Sequence, residues 1–376
     1  MTNSPGGSPE VLIAILTDLS TDHRCWKWAK SLRDAGYRPV ICCDEPLHPL
    51  GAAWDGFDVR VLTRESHQRR FFPVFFLFML RLLPILLRTK AKVWIAMDAP
   101  PLLWLAFWGR LRGRRVAYDS HELFLETPMV RSRTTRWALW TFWENTGLAL
   151  IRRCVTVSPA ILDRLKASHP GVRFHLLPNM PAGEMEAIVP VPKDRPLSLV
   201  YQGGLRKASG LPELIAALRD RPGIVLDIYG GGSEAGPLKE SAREAGLAER
   251  VIFHGVVPFE ELPGKMAGAH AGIHLVQPTC ESFALTLSNK IFDYVRAGVP
   301  VLFSDNPAHR QLLEEFPVGV AADAFSPSAV GAALDRLLAD REAFAETCRA
   351  ARERWRWENF FRGVPEFLGL KTPEVA

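Results

Sequence analysis

The chain has 376 residues, 48% of them hydrophobic and 23% charged, which excludes a disordered or fibrous protein. At roughly 150 residues per domain, two domains are expected. The net charge of +5 is unevenly placed: residues 1–180 carry 25 Lys/Arg against 15 Asp/Glu, and residues 181–376 carry 21 against 26.

Residues 1–10 (MTNSPGGSPE) have neither a basic start nor an apolar region, so they read as a disordered N-terminus and not as a signal peptide. Short apolar runs then alternate with helical patterns. Val11–Leu16, Pro39–Cys43, Val93–Met97, Arg115–Tyr118 and Cys154–Val157 read as buried strands. Cys25–Ala35 is amphipathic and ends at Gly36, a good residue to stop a helix. The longest apolar stretch, Phe71–Leu87, is interrupted by Pro73, Arg81 and Pro84, so no clean membrane span is expected.

Residues 60–153 hold 17 basic and 6 acidic side chains, interleaved with Phe71, Phe72, Phe75, Phe76, Phe78, Trp104, Phe107, Trp108, Trp137, Trp140, Phe142 and Trp143. Such a face suits an anionic membrane surface, where each Lys or Arg contributes about 1 kcal/mol. The plainer alternative is helices packed on a sheet with their arginines solvated at the rim. Nucleic acid is not an expected partner, because no helix-turn-helix, zinc-finger or RNA-stacking motif accompanies the charge. Cysteines 25, 42, 43, 154, 280 and 348 have neither metal-type spacing nor the density of a secreted scaffold. A cytoplasmic protein without a bound metal is therefore expected, peripheral at the membrane if the basic face is used.

Prolines 178, 181, 190, 192 and 196 mark a linker over 181–196. A second strand series follows: Leu197–Tyr201, Ile224–Tyr229, Val251–His254, Ala271–Val276, Val299–Phe303 and Val318–Ala321. Strand–helix alternation implies parallel sheets covered on both faces. The expected architecture is α/β, with two doubly wound Rossmann-like domains, 11–180 and 197–355, facing a central cleft. The segment 356–376 is expected to cross back as a helix to the first domain. Ligands in such sheets sit beyond the carboxyl ends of the strands, a geometry suited to a transferase that must exclude water.

Leu197–Tyr201 runs into Gln202-Gly203-Gly204-Leu205-Arg206-Lys207-Ala208-Ser209-Gly210 and then a helical pattern from Leu211. Glycines there let the backbone approach a phosphate, and a following helix N-terminus favours negative charge. The spacing is neither a Walker A loop nor the dinucleotide pattern. Two later strands end in Tyr229-Gly230-Gly231-Gly232 and His254-Gly255-Val256-Val257-Pro258, leaving room for a flat ligand or simply making tight turns.

The segment from Cys280-Glu281-Ser282-Phe283-Ala284 through Asn289-Lys290-Ile291-Phe292-Asp293-Tyr294 to Gly298-Val299-Pro300 resembles the retaining glycosyltransferases of family 4, which have a GT-B fold. The likeness is greatest to a subgroup reading Asn-Lys-hydrophobic-Phe-acid-Tyr before the turn. Tyr118-Asp119-Ser120-His121-Glu122-Leu123-Phe124 is similar to that family's first-domain His-Glu loop. Thr21-Asp22-His23-Arg24, Val155-Thr156-Val157-Ser158, Leu177-Pro178-Asn179-Met180-Pro181 and Arg356-Trp357-Glu358 also fit.

The resemblance implies transfer of a sugar from a nucleotide-sugar to a saccharide or lipid-linked acceptor, with retention and without a metal. It implies surface polysaccharide or glycolipid synthesis as the setting. The family's paired glutamates are separated by seven residues. Counting back from Gly298-Val299-Pro300 puts Asp293 at the second and Leu285 at the first. Glu281 fits the first by local context, and a register fixed on it would put the second at Asn289. The Asp293 register is preferred, since a helix-to-strand turn is harder to shift than a loop is to lengthen.

By resemblance Asp293 binds the ribose, Glu281 and His121 the donor sugar, and Gly203, Gly204, Tyr229, Gly230 and His254 frame the nucleotide. The family's Arg and Lys positions align with Gly204 and Ser209, so displacement within the loop assigns the diphosphate to Arg206, Lys207 and Lys290. Asp22, Arg24, Asp98 and Glu122 are acceptor-side candidates. Two other readings stay open: a nucleotide-sugar epimerase, and a non-catalytic scaffold that keeps the fold.

Overall fold

In a parallel sheet each strand is followed by a crossover connection, usually a helix, and a strand buried on both faces needs a continuous apolar run. The computed structural model, describing residues 10–20, 22–63, 71–185, 187–191, 196–258 and 261–370, follows that grammar in two units. One unit comprises residues up to Pro178 and those from Phe360 onward; the other is Asn179–Asn359. Of the expected disordered terminus only Glu10 is described, and Thr21 of the first loop and 186 and 192–195 of the expected linker also lie outside the described residues.

The first unit contains strands Glu10–Ile15 (β1), Arg38–Cys43 (β2), Asp58–Val61 (β3), Val93–Met97 (β4), Arg115–Ser120 (β5), Arg153–Thr156 (β6) and Arg173–Leu176 (β7). Its helices are His23–Asp34 (α1), Phe71–Arg88 (α2), Ala99–Leu111 (α3), Pro128–Arg131 (α4), Thr134–Ile151 (α5) and Pro159–Ser168 (α6). All seven strands are parallel, in the order β3-β2-β1-β4-β5-β6-β7. Leu12 pairs with both Val40 and Trp94 at the sheet centre. Near the chain's end Phe361 meets Trp28 of α1 edge-on at 5.4 Å, and Val364 and Leu368 are buried.

The second unit contains Leu197–Gln202 (β8), Leu211–Leu218 (α7), Ile224–Tyr229 (β9), Ala235–Glu244 (α8), Val251–Gly255 (β10) and Leu262–Met266 (α9). It continues with Ala271–His274 (β11), Glu281–Leu285 (α10), Asn289–Arg296 (α11), Val301–Ser304 (β12), Pro307–Glu315 (α12), Gly319–Ala322 (β13), Pro327–Ala339 (α13) and Arg341–Arg354 (α14). The six strands are parallel in the order β10-β9-β8-β11-β12-β13. Leu199, Ile228, Ile273, Leu302 and Leu334 are buried in its core. The chain re-enters the first unit within Trp357–Phe361 (α15), followed by Val364–Leu368 (α16).

Three sequence expectations change. Strands β3 and β7 went unread because they are the two edges of their sheet, half-exposed, and so lack a continuous apolar run. Phe71–Arg88 is one unbroken helix, long and apolar enough by length and composition to cross a membrane. Pro73 falls in its first turn, where the N–H is not needed. Pro84 leaves the carbonyl of Leu80 without its usual donor, and Leu80 is exposed to solvent. Finally β11 stops at His274, short of Val276, because the Val276 N–H donates to the Ser304 hydroxyl at 2.7 Å and leaves the ladder.

The basic, aromatic stretch divides between core and surface. Phe75, Phe78 and Trp140 are buried with Val74, Met79 and Leu82, whereas Phe76 (65%), Leu80 (66%), Phe107, Leu111 and Phe142 are exposed. Arg81, Arg88, Arg110 and Arg112 are exposed on the same helices or beside them.

Candidate functional site

Strand order reverses in each sheet where the first strand has neighbours on both sides: β1 between β2 and β4, and β8 between β9 and β11. Crevices outside the carboxyl ends of such strands are where ligands bind in open parallel sheets. Some of the predicted residues fall at each switch point, Asp98 after β4 and Gly203 after β8.

In the second unit β8 delivers Gln202, Gly203 and Gly204 to this edge. The Gly203 N–H donates to the Tyr229 carbonyl at 2.8 Å, the Leu205 N–H to Gly231 at 2.9 Å, and the Gly230 N–H to Gly255 at 2.7 Å. The N–H groups of Gly203 and Gly230 are thus engaged within the protein. Their use is close approach. Gly230 has φ +146°, and a Cβ there would lie 1.9 Å from the Gly203 carbonyl oxygen. A Cβ on Gly203 (φ +126°) would lie 2.0 Å from Lys290 Nζ.

Lys290, at the second position of α11, therefore lays its ammonium over the glycine, 5.3 Å from the centre of the Tyr201 ring. Arg206 folds back over Gly204, its Nε 3.3 Å from where a Cβ would stand. Burial, and after it the charge of Arg206, bring the Lys290 pKa down to about 8 against the opposing charge of Asp293. Neither Lys290 nor Arg206 has an ion-pair partner among the described residues. Arg206 is exposed and Lys290 half-buried, and each disfavours the other's charge, a repulsion that a bound anion would relieve.

One turn along α11, Asp293 Oδ2 accepts from Gln202 Nε2 at 3.1 Å. Beyond it, where β8 and β11 part, Tyr294 substitutes for the missing ladder. Its hydroxyl accepts from the Gln202 N–H at 3.0 Å and donates to the Ile273 carbonyl at 3.2 Å. A cavity of about 170 Å³ opens on Gln202 and Asp293 and is walled by Leu262, Pro263, Met266 and Ala267. The helix then closes at Gly298, where the Val299 N–H bonds back to Tyr294.

Other candidates are placed apart. Glu281 starts α10, which is separated from α11 by the non-helical Thr286-Leu287-Ser288, so the two acids sit on different helices. Lys207 is exposed beside Arg206. His254 bonds Asp227 at 2.7 Å and stacks on Tyr229 at 4.4 Å between ring centres, so both rings are engaged with each other. The sequence reading gave no role to Tyr294 or to His274, a buried imidazole near Lys290 whose pKa burial holds well below the usual value. A tyrosine in a helix and a histidine closing an apolar strand both read as core.

In the first unit, Asp22 caps α1 by accepting from the Cys25 N–H at 2.8 Å. Arg24 was expected along an acceptor pocket. It is instead 3% exposed, with Nε and Nη2 on the Asp119 carboxylate at 2.9 and 2.7 Å and Nη1 on the Leu177 carbonyl at 3.0 Å. Asp119, fully buried on β5, also meets His121 Nε2 at 3.1 Å. His121 Nδ1 lies 3.4 Å from Asp98 Oδ2. Asp98 itself has φ +60°, a strained conformation for a non-glycine residue at the end of β4.

Burial alone would lower the His121 pKa, but the carboxylates of Asp98 and Asp119 outweigh it and raise it to about 9. Burial pushes Asp119 up, yet Arg24 and His121 hold it well below the usual carboxylate range. Burial raises Asp98. His121 is thus an imidazolium at neutral pH, a fixed charge and donor, not a base. Glu122 follows it, its carbonyl accepting from the Ser120 hydroxyl at 2.9 Å. Among the described residues no group of three or more His, Cys, Asp or Glu is arranged to hold a metal ion.

Two doubly wound parallel sheets, one in each unit, are the architecture of the GT-B class. The family model described as "Glycosyl transferases group 1" matches residues 184–355, and that described as "Glycosyltransferase Family 4" matches residues 23–180. The chain belongs to the GT-B glycosyltransferases of group 1.

Among curated proteins it is 28% identical over 188 residues to a GDP-mannose-dependent alpha-(1-6)-phosphatidylinositol monomannoside mannosyltransferase of Mycobacterium tuberculosis, covering 46% of this chain and 48% of that protein. It is 26% identical over 197 residues to a 2-deoxystreptamine N-acetyl-D-glucosaminyltransferase of Streptomyces fradiae, covering 51% and 42%. The chain spans about half the length of the curated relatives it matches. Sucrose-phosphate synthase from Thermosynechococcus elongatus shares the fold with a TM-score of 0.74 at 16% identity, over 95% of this chain and 98% of that one. Anabaena HepE, solved with UDP and glucose, does so with a TM-score of 0.73 at 16% identity, over 96% and 99%. These matches do not favour the epimerase or scaffold alternatives.

Proposed function

We propose that this protein transfers a sugar from a nucleotide-sugar to a saccharide or lipid-linked saccharide acceptor, with retention of configuration, in the synthesis of a surface polysaccharide or glycolipid. The observation that carries the reading is the pair Arg206 and Lys290, unneutralised above Gly203 and Gly204 and one helical turn from Asp293. That arrangement suits a diphosphate on the cations and a ribose on Asp293, with the apolar wall of Leu262 and Met266 toward the base.

Breaking the bond between the sugar's C1 and the phosphate oxygen leaves charge on the departing diphosphate. Fixed cations aimed there lower the barrier by several kcal/mol, of the order of 3 for a single donor. The same cations serve where other enzymes use a metal. The acceptor hydroxyl bonds to C1 on the face the phosphate leaves, and its proton passes to the leaving phosphate oxygen, so no separate base is required. His121, both of whose ring nitrogens face carboxylates, is assigned to the donor sugar as a fixed positive charge at the first unit's switch point. Asp22, Asp98 and Glu122 are assigned to the acceptor side; Arg24 acts through Asp119 by positioning it. Glu281 is assigned to the donor sugar.

The exposed Phe76, Leu80, Phe107, Leu111 and Phe142 with neighbouring arginines support a peripheral contact with an anionic cytoplasmic membrane face, where a lipid-linked acceptor would be met. The test is release of UDP or GDP from their sugar conjugates by purified protein, with EDTA present, on extracted lipid-linked saccharides. The reading expects one conjugate to be turned over with the anomeric configuration kept. Hydrolysis or transfer from neither, on acceptors drawn from membranes that make such glycans, would overturn it.

A further inference from the structure

Asp293 is assigned to the ribose, but its side chain is too free to aim itself. The last torsion of an aspartate is broad and two-fold, so backbone position alone does not set the plane of its carboxylate. Affinity is lost to ordering such a group unless a neighbour orders it beforehand. Asp293 is half-buried on α11, and its Oδ2 accepts from Gln202 Nε2 at 3.1 Å. A carboxylate has about four acceptor positions, so it can take that amide and ribose hydroxyls together.

Gln202 can hold because it is itself held. It is the last residue of β8 and 3% exposed. On one side it pairs with Tyr229 of β9. On the other side β11 follows β8 only as far as Ile273, opposite Tyr201. There the Tyr294 hydroxyl takes over, accepting from the Gln202 N–H at 3.0 Å and donating to the Ile273 carbonyl at 3.2 Å. Tyr294 is fully buried and its ring lies against the Gly272 backbone. A Cβ on Gly272 would come within 2.4–2.6 Å of three ring carbons, so any larger residue would push the hydroxyl away.

Two adjacent residues of one helix thus grip one residue of the strand, Tyr294 by its main chain and Asp293 by its side chain. A tie that only fastened α11 to β8 could end on any side chain of that helix face. This one ends on the carboxylate that shares the 170 Å³ cavity with Gln202. We propose that Gln202 is a positioning residue for the nucleotide, aiming the Asp293 carboxylate at the ribose while Tyr294 and Gly272 hold it in place. This role rests on the donor reading, which gives the ribose to Asp293.

The test is calorimetric titration of the full chain with UDP, GDP and ADP, each beside its 2′,3′-dideoxy analogue, and with pyrophosphate. In the native chain the nucleotide that binds should lose about tenfold in affinity as its dideoxy analogue, as for one lost hydrogen bond. Gln202→Met keeps the length of the side chain and the N–H that Tyr294 accepts, and removes only the amide. It should weaken the full nucleotide about tenfold and leave the dideoxy analogue and pyrophosphate unchanged. Unchanged pyrophosphate binding also reports that the variant is folded. Gln202→Asn, whose amide stops one carbon short, should behave alike and serves if Gln202→Met does not fold. The proposal is overturned if the folded variant binds the full nucleotide as tightly as the native chain, or loses all three ligands alike. If the native chain itself binds no nucleotide, or binds the dideoxy analogue equally well, the donor reading of Asp293 fails and this role with it, a failure seen without any variant.

Discussion

The two switch points solve the same problem in opposite ways. In the first unit the charges are neutralised within the protein: Arg24 on Asp119, Asp119 on His121, His121 on Asp98. In the second unit Arg206 and Lys290 make no ion pair among the described residues, and they lie over glycines that leave the backbone uncovered by a side chain. A self-paired cluster is finished when the chain folds. An unpaired one is finished only when an anion arrives. The difference separates a site that shapes and orients from one that binds charge.

The sharpest way to break this comparison is to unpair the first unit. Arg24→Ala leaves Asp119 buried without its main cation, and should cost about 3–5 kcal/mol of that unit's stability in denaturant titration. A loss under about 1 kcal/mol, typical of an exposed pair, would mean the pair is not a buried structural element. A somewhat smaller effect is expected from pH. His121 has its pKa raised to about 9, so the stability it contributes is fully present below its unfolded value of about 6.5 and is lost as pH rises through 9. That contribution is of the order of 3 kcal/mol, and His121→Gln should remove the pH dependence from thermal melts over this window.

The smallest effect belongs to the second unit. Lys290 titrates near 8, so its charge is present below that pH and lost above it. Nucleotide affinity should hold to about pH 8 and then fall toward about tenfold per pH unit. In Lys290→Met the fall should vanish, at lower affinity throughout.

The fold was legible because its central strands are continuous apolar runs. Only the edges β3 and β7, which need no second apolar face, escaped. That Gly203, Lys290 and Asp293 stand at one sheet edge was legible too, since glycine after a strand and an acid before a helix-closing turn are local signals. Arg24 was misread as a ligand contact because one residue type serves a pocket and a buried ion pair equally, and Asp119 lies 95 positions away in the chain. Tyr294 was invisible for the same reason. Its hydroxyl matters only because β8 and β11 part at Gln202, a fact of register that no local pattern carries.

The most direct measurement is calorimetric titration of the metal-free protein with UDP, GDP and ADP, beside Asp293→Ala. The account predicts that one nucleotide binds selectively, and that the variant weakens it by about 1 kcal/mol or more, as for a lost hydrogen bond to a charged group. Binding of none of the three, or equal binding by the variant, would contradict the claim that the second unit's cations and Asp293 form a nucleotide site.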